Sequence, residues 1–284
     1  MKLRPLGPGD VAGICALADA DRLPGQPACT PERVAALLSG RSTHDAWSWR
    51  QLATMRVLGA ESDSGALVGA GAVGRRPSGW RHLLWLHARE DRQVLDGLLV
   101  NLLRGVRLTD PVSAFSLSTE LTVGVEGLPR DIRPATHEAV LARGFAGTER
   151  WLYLRATATG PAPAVPFRRR GRGDVRVELT PGDAVVGSAE LGLPAPGLGV
   201  IWWLEIDPDQ RGHGHGRQLL RASRQVLAEA GATETILFVD RDSPGTPDRG
   251  PALALYLSEG FTVVDRLWSY HRGGPPPDED EPES

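Results

Sequence analysis

Alternation and periodicity divide the chain into strands, glycine turns and helices. Residues Ile201 to Ile206 are apolar except for Glu205, a pattern that suits a buried strand, and Asp207-Pro208 ends it. Gly212, Gly214 and Gly216 follow. A helix is then predicted with Leu219, Leu220, Val226, Leu227 and Ala230 on one face and Arg217, Arg221, Arg224 and Glu229 mostly on the other. Gly231 is a natural helix stop, and Thr235–Val239 reads as the next strand. Upstream, residues 66–88 and 184–206 align without gaps. Val68-Gly69 falls on Val186-Gly187, and Trp85-Leu86 on Trp203-Leu204. Each segment is two β-rich runs around a Gly/Pro turn, the pattern of a hairpin.

A second match, 141–150 with 257–266, superposes both Gly-Phe pairs and both terminal arginines in the same order. Two ordered repeats predict a duplicated domain. The first copy has about fifty residues before its hairpin, with a helix around Asp10–Ala20. The second runs almost directly into Asp174–Leu179 and is expected to lack the opening strand and helices.

Composition adds limits. A chain of 284 residues is comfortable for two domains. No run reaches the ~18 apolar residues of a membrane span, and the N-terminus MKLRPLGPGD has no apolar leader core, so a cytoplasmic protein without a membrane partner is expected. A net charge of −3 argues against a nucleic-acid footprint. Residues 157–173, rich in Pro, Gly and Arg, read as a linker between domains at 1–156 and 174–274. Arg168–Arg170 reads as a solvated part of that linker or a contact for an acidic partner. The Pro-rich acidic residues 275–284 read as a disordered tail. Cys15 and Cys29 make no disulfide framework, and the second half has no thiol nucleophile.

The strand, glycine turn and helix over 201–231 form an anion site for a physical reason. The first helical N–H groups have no internal partners, and the helix dipole puts partial positive charge there. Glycines let a pyrophosphate approach the backbone, and Arg211 and Arg217 add charge. No Lys-Ser/Thr follows, which excludes a nucleoside-triphosphate loop, and glycines at every second residue do not match the dinucleotide pattern. His213 and His215 share one turn without a third ligand, so no metal is expected.

Arg211-Gly212-His213-Gly214-His215-Gly216 resembles the Arg/Gln-x-x-Gly-x-Gly/Ala motif of the GNAT superfamily of N-acetyltransferases. Residues Ala252 to Phe261 resemble its Ala-x-x-Leu-Tyr-x-x-x-Gly-Phe signature. The resemblance implies an α/β fold with a mixed sheet, as two tandem GNAT-like domains of which the second is shortened at its start. It implies acetyl-CoA as donor, with pyrophosphate on the amides of residues 211–217 and the pantetheine arm along Leu204, Glu205 and Ile206. Tyr256 takes the role of acid to the departing thiolate, or packs on Phe261. The slots for a strand base hold Val200 and Trp202. That leaves Glu205, a water chain or a residue of the first half as base. Trp202 is expected to line the acceptor pocket and Trp203 to lie in the core. Arg249 stands where the family has Asn, and Gly245–Arg249 is an insertion in the preceding loop.

In the first half, 87–99 keeps only Gly97 of the loop glycines and carries Glu90, Asp91 and Asp96, which would repel a pyrophosphate. Val140 fills the tyrosine slot. This half reads as a degenerate copy that helps complete the acceptor side of the second. The leading function is acetyl transfer to a small-molecule amine. Acetylation of a protein or peptide N-terminus and a non-catalytic acyl-CoA-binding regulator are the alternatives. A homodimer is compatible with this layout.

Overall fold

The computed structural model describes residues 1–41, 46–121, 125–171, 175–240 and 249–274. The insertion expected at Gly245–Arg249, apart from Arg249, and the acidic tail lie outside the described residues. The chain divides into two compact units, Met1–Arg150 with Arg266–Ser284, and Trp151–Asp265.

The first unit holds β1 (Lys2–Pro5), α1 (Val11–Ala20), α2 (Pro31–Leu38), α3 (Ala46–Arg50), β2 (Thr54–Glu61), β3 (Leu67–Arg75), β4 (Arg81–His87), α4 (Arg92–Leu102), β5 (Val112–Ala114), β6 (Leu128–Pro129) and α5 (Pro134–Leu141). β1 to β4 are antiparallel in sequence order, and β4 pairs parallel with β5. Helix α4 buries Val94, Leu95, Leu98, Leu99 and Leu102. On α1 it is Ile14, Leu17 and Ala18 that turn inward. At about 1.5–3 kcal/mol per fully buried large aliphatic side chain, these stripes rather than helix propensity hold the layers.

The chain enters the second unit within β7 (Ala146–Thr157). There follow β8 (Phe167–Arg170), β9 (Val175–Leu179), β10 (Gly187–Ala195), β11 (Leu198–Ile206), α6 (His215–Glu229), β12 (Glu234–Asp240), α7 (Gly250–Ser258) and β13 (Thr262–Arg272). Trp151–Thr157 pairs antiparallel with all of β12, β12 runs parallel to β11, and β10, β9 and β8 follow antiparallel. The chain leaves this unit within β13, whose last residues, Tyr270 to Arg272, pair with β5.

Three expectations change here. Residues 157–173 are not wholly a linker, because Phe167–Arg170 is a strand paired with β9. The second unit therefore does have an opening strand, and what it lacks among the described residues is helices between β8 and β9. Arg168, Arg169 and Arg170 are exposed at this sheet edge, where charge discourages further strand pairing. The units also divide at Arg150/Trp151 and Asp265/Arg266 rather than at a linker.

The duplication is visible in register. In the first hairpin the β3–β4 ladder slips between Ala72 and Val73, so Leu84 has no partner. In the second the β10–β11 ladder slips between Glu190 and Leu191, so Trp202 has none. These are equivalent residues of the repeat. The parallel pairings end just before the bulges, at Leu83↔Ala114 and Ile201↔Leu237. Each unit thus has two parallel strands that part at the same place.

Candidate functional site

In the second unit the bulge decides what faces the split. Ile201, Leu204 and Ile206 belong to the apolar cluster with Leu219, Leu220 and Val226 of α6. Trp203 and Glu205 pair with Glu190 and Ser188, which alternate with Ala189 and Leu191 of that cluster, so they lie on the opposite face. The extra residue, Trp202, joins them. A Cβ on Gly192 would sit 2.4 Å from the Trp202 indole nitrogen, so this glycine is what seats the ring. Trp202 lies nearly parallel to Phe238, with centroids 6.4 Å apart. Both indoles are exposed, Trp202 at 38% and Trp203 at 49%, which corrects the core assignment of Trp203. Alternation allows one indole per face, whereas a bulge allows two. The Trp203 indole N–H donates to Glu205 at 3.2 Å, and the half-exposed Glu205 carboxylate lies 4.0 Å from the Arg211 guanidinium.

Past β11, Pro208–Gln210 makes a single 3₁₀ turn. Gly212 and Gly214 adopt φ of +81° and +79°, a region open to glycine and costly for most side chains. Gly214 is the N-cap of α6 and offers no side chain to its amides. The first helical bond runs from Gln218 N–H to the Gly214 carbonyl, at 3.3 Å. Among the described residues no carbonyl or side chain accepts from the amides of Gly212 through Arg217. Gly212, His213 and Gly214 are exposed, and His215 and Gly216 half-exposed. The His213 and His215 rings lie 5.9 Å apart. Among the described residues no group of three metal-ligating side chains forms.

The two arginines are committed locally. Arg211 donates to the Ile206 carbonyl at 3.0 Å. Arg217 bonds Ser258 and pairs with Glu259, at 3.2 and 3.3 Å. Glu259, whose side chain is 2% exposed, also takes both arms of Arg221 at 2.9 Å. The Arg221 bonds hold the Glu259 carboxyl below its usual range. Arg224 is buried rather than solvent-facing. It donates to the carbonyls of Glu259, Thr157 and Thr159.

Helix α7 docks beside the glycine loop, since a Cβ on Gly216 would stand 3.3 Å from Leu255. Tyr256, next along, is the buried residue of α7 and meets Phe261 edge-on at 6.0 Å. Burial pushes its hydroxyl up to about 12, with Arg249 opposing this and Asp240, at the end of β12, adding to it. The loop, the ends of both parting strands and Tyr256 therefore converge. Phe238 and Glu259 belong to this convergence and were not singled out from sequence. Alternation in Thr235–Val239, and arginines spaced three and four apart on α6, are the signals that point to them.

The first unit has the same frame with different chemistry. Asp91 is the N-cap of α4, and its own carboxylate accepts from Gln93 and Val94 N–H at 2.9 and 3.2 Å. Glu90 instead turns to α5, accepting from Thr136 N–H at 3.0 Å and Arg133 at 3.2 Å. Gly97 lies inside α4, not in a loop. The split narrows to a cavity of about 30 Å³ lined by Leu84, Trp85 and His87 of β4 with Phe115, Asp21 and Arg133, room for one or two waters.

A family model described as the acetyltransferase (GNAT) family matches residues 150–261. A mycothiol acetyltransferase of Kocuria rhizophila is 40% identical across 24% of this chain and 20% of its own length. Another, from Geodermatophilus obscurus, is 30% identical across 51% of each. The chain thus aligns with at most about half the length of these relatives. Two solved structures share the fold at 16% identity and a TM-score of 0.61. One is a GCN5-related N-acetyltransferase from Sphaerobacter thermophilus, with 96% of each chain covered. The other is a tandem GNAT protein from the clavulanic acid biosynthesis pathway, with 98% of this chain and 99% of that one covered. Residues 150–261 are a domain of the acetyltransferase (GNAT) family, in a chain that takes the tandem GNAT fold.

Proposed function

We propose that this protein transfers the acetyl group of acetyl-CoA to the amine of a small molecule, using the second unit. The observation that carries the reading is the run of unpartnered amides from Gly212 to Arg217, at the head of α6 and just past a strand that has parted from its parallel neighbour. Those amides, with no Cβ at Gly212, Gly214 or Gly216, suit a pyrophosphate. The free edge of Leu204, Glu205 and Ile206 suits an amide-bearing arm. His213 and His215 flank the loop. Arg211 and Arg217 act as fixed positive charge near it rather than as free ligands.

When bound, acetyl-CoA supplies the acetyl group as an activated thioester. Trp202 and Trp203 offer indole surface to a cationic amine, and Glu205 on the same face takes the proton the amine must lose. An alkylammonium with pKa near about 10.4 needs that help at neutral pH. Tyr256 keeps its proton well above neutral pH, so it is available to the leaving thiolate. The relatives' name speaks of mycothiol. The share of their length that aligns here, about half or less, does not single out that compound for this chain.

The test is release of free thiol from acetyl-CoA with a panel of small amines and N-terminal peptides. Turnover with a small amine, lost in Gly214→Asp, supports the reading. Acetyl-CoA binding without thiol release from any acceptor would make the chain a binder, and turnover confined to peptides would move the substrate class.

A further inference from the structure

We propose that Cys15 and Cys29 are a dithiol–disulfide couple that staples one wall of the first unit's cavity. They are the chain's two cysteines, and the Cys29 thiol lies 3.3 Å from the Cys15 sulfur. Both are half-exposed and carry free thiols. Cys15 sits within α1, fixed by its neighbours Ile14 and Leu17, which are fully buried. Cys29 sits just before α2 and is held by its own N–H donating to Asp19 at 2.8 Å. The sulfurs need to close to about 2.05 Å, and side-chain rotation supplies such a movement when the backbones already present the thiols to each other.

The loop this bond would close carries Asp21, Leu23 and Gln26, which line the cavity at the split of β4 and β5. Asp21 is the partner of His87 at 3.1 Å and of Arg133 at 3.2 Å, all three buried. Gln26 accepts from Leu23 N–H at 3.0 Å and anchors the same turn. The bond would thus pin the segment that holds this buried charge cluster to the sheet.

The chemistry is an exchange with a low-molecular-weight disulfide. The thiolate of one cysteine attacks one sulfur of the oxidant, whose S–S bond breaks and releases one thiolate. The thiolate of the other cysteine then attacks the protein sulfur of the mixed disulfide and releases the second. Two protons leave the cysteines and two thiols form from the oxidant, so protein sulfur is oxidised and reagent sulfur reduced. Burial holds both thiols above their usual range, Cys29 furthest. Asp19 and Glu32 add to this at Cys15, and Asp19 adds to it at Cys29, where Arg33 opposes. The exchange therefore quickens as pH rises from 7 towards 9.

The full chain is incubated with oxidised glutathione at pH 8.5, then assayed for free thiols, peptide masses and thermal midpoint. The expected result is loss of both thiols together, with a linked peptide pair lighter by two hydrogen atoms. The midpoint should rise by about 5–10 °C, reversed by dithiothreitol. Cys29→Ser should stop at a glutathione adduct on Cys15 with no such rise. Persistent thiols, adducts on both cysteines, links between chains, or a linked form that melts no higher would each overturn the proposal.

Discussion

Gly214→Asp would give the second unit's loop the chemistry of the first. At this position nothing lies within 4 Å of a new Cβ. Asp tolerates a positive φ better than most residues. As an N-cap its carboxylate adds only about a few tenths of a kcal/mol over glycine, because the backbone here is left-handed where that of Asp91 is extended. Strain of about 1 kcal/mol therefore outweighs the cap, and the thermal midpoint should fall by less than about 4 °C. Binding should not survive as well. A phosphate that loses two charge-assisted amide bonds, each about 1.5–3 kcal/mol, loses about 3–6 kcal/mol. That is on the order of 10²–10⁴ in Kd, before repulsion between like charges is counted. Calorimetric titration with acetyl-CoA, beside a melting curve, gives both numbers. Gly214→Ala is the control, expected to cost stability but to spare more affinity, because it adds strain without an anion. If Gly214→Asp keeps the fold and binds within threefold of wild type, the amides of this loop do not hold the pyrophosphate.

Tyr256→Phe should leave acetyl-CoA binding nearly intact and slow turnover by about 10²–10⁴-fold in a thiol-release assay; a change under about threefold would make Tyr256 a packing residue. Because its folded pKa is raised, Tyr256 contributes stability that is present below about pH 10 and lost as pH rises towards about 12, so wild type should lose more stability than Tyr256→Phe across that window. Glu259, held low by Arg221, contributes stability present above its unfolded pKa of about 4.3 and lost as pH falls, and Glu259→Gln should flatten that acid limb in melting curves. A fragment of residues 174–274 should be insoluble or inactive, because it lacks Trp151–Thr157, the antiparallel partner of all of β12, and the edge strand β8. A soluble, fully active fragment would refute this.

Periodicity carried much of this architecture. Ile201–Ile206, the glycine loop and the two faces of α6 follow from apolar spacing, and the repeat places both hairpins. What escaped has identifiable causes. A bulge adds one residue that alternation cannot see, so alternation alone puts Trp203 in the core although it is exposed. The strand Phe167–Arg170 hides in an Arg-rich stretch between Pro and Gly, because an edge strand needs only one apolar contact and tolerates charge. Arg224 reads as solvent-facing by spacing, yet it is buried by the carbonyls it satisfies at Thr157, Thr159 and Glu259. The division of β13 at Asp265/Arg266 leaves no local signal, since strand propensity does not record which strands it pairs with. In the first unit the acidic loop was legible, but not that Asp91 would occupy the helix amides itself.

Amide hydrogen exchange on the full chain, with and without acetyl-CoA, shows which of the two loops holds the cofactor. Acetyl-CoA should slow exchange across 204–217, where the amides of Gly212 to Arg217 lack partners among the described residues, and leave 87–97 unchanged, where Asp91 already holds the helix amides. Equal protection of both segments, or protection of 87–97 alone, would contradict it.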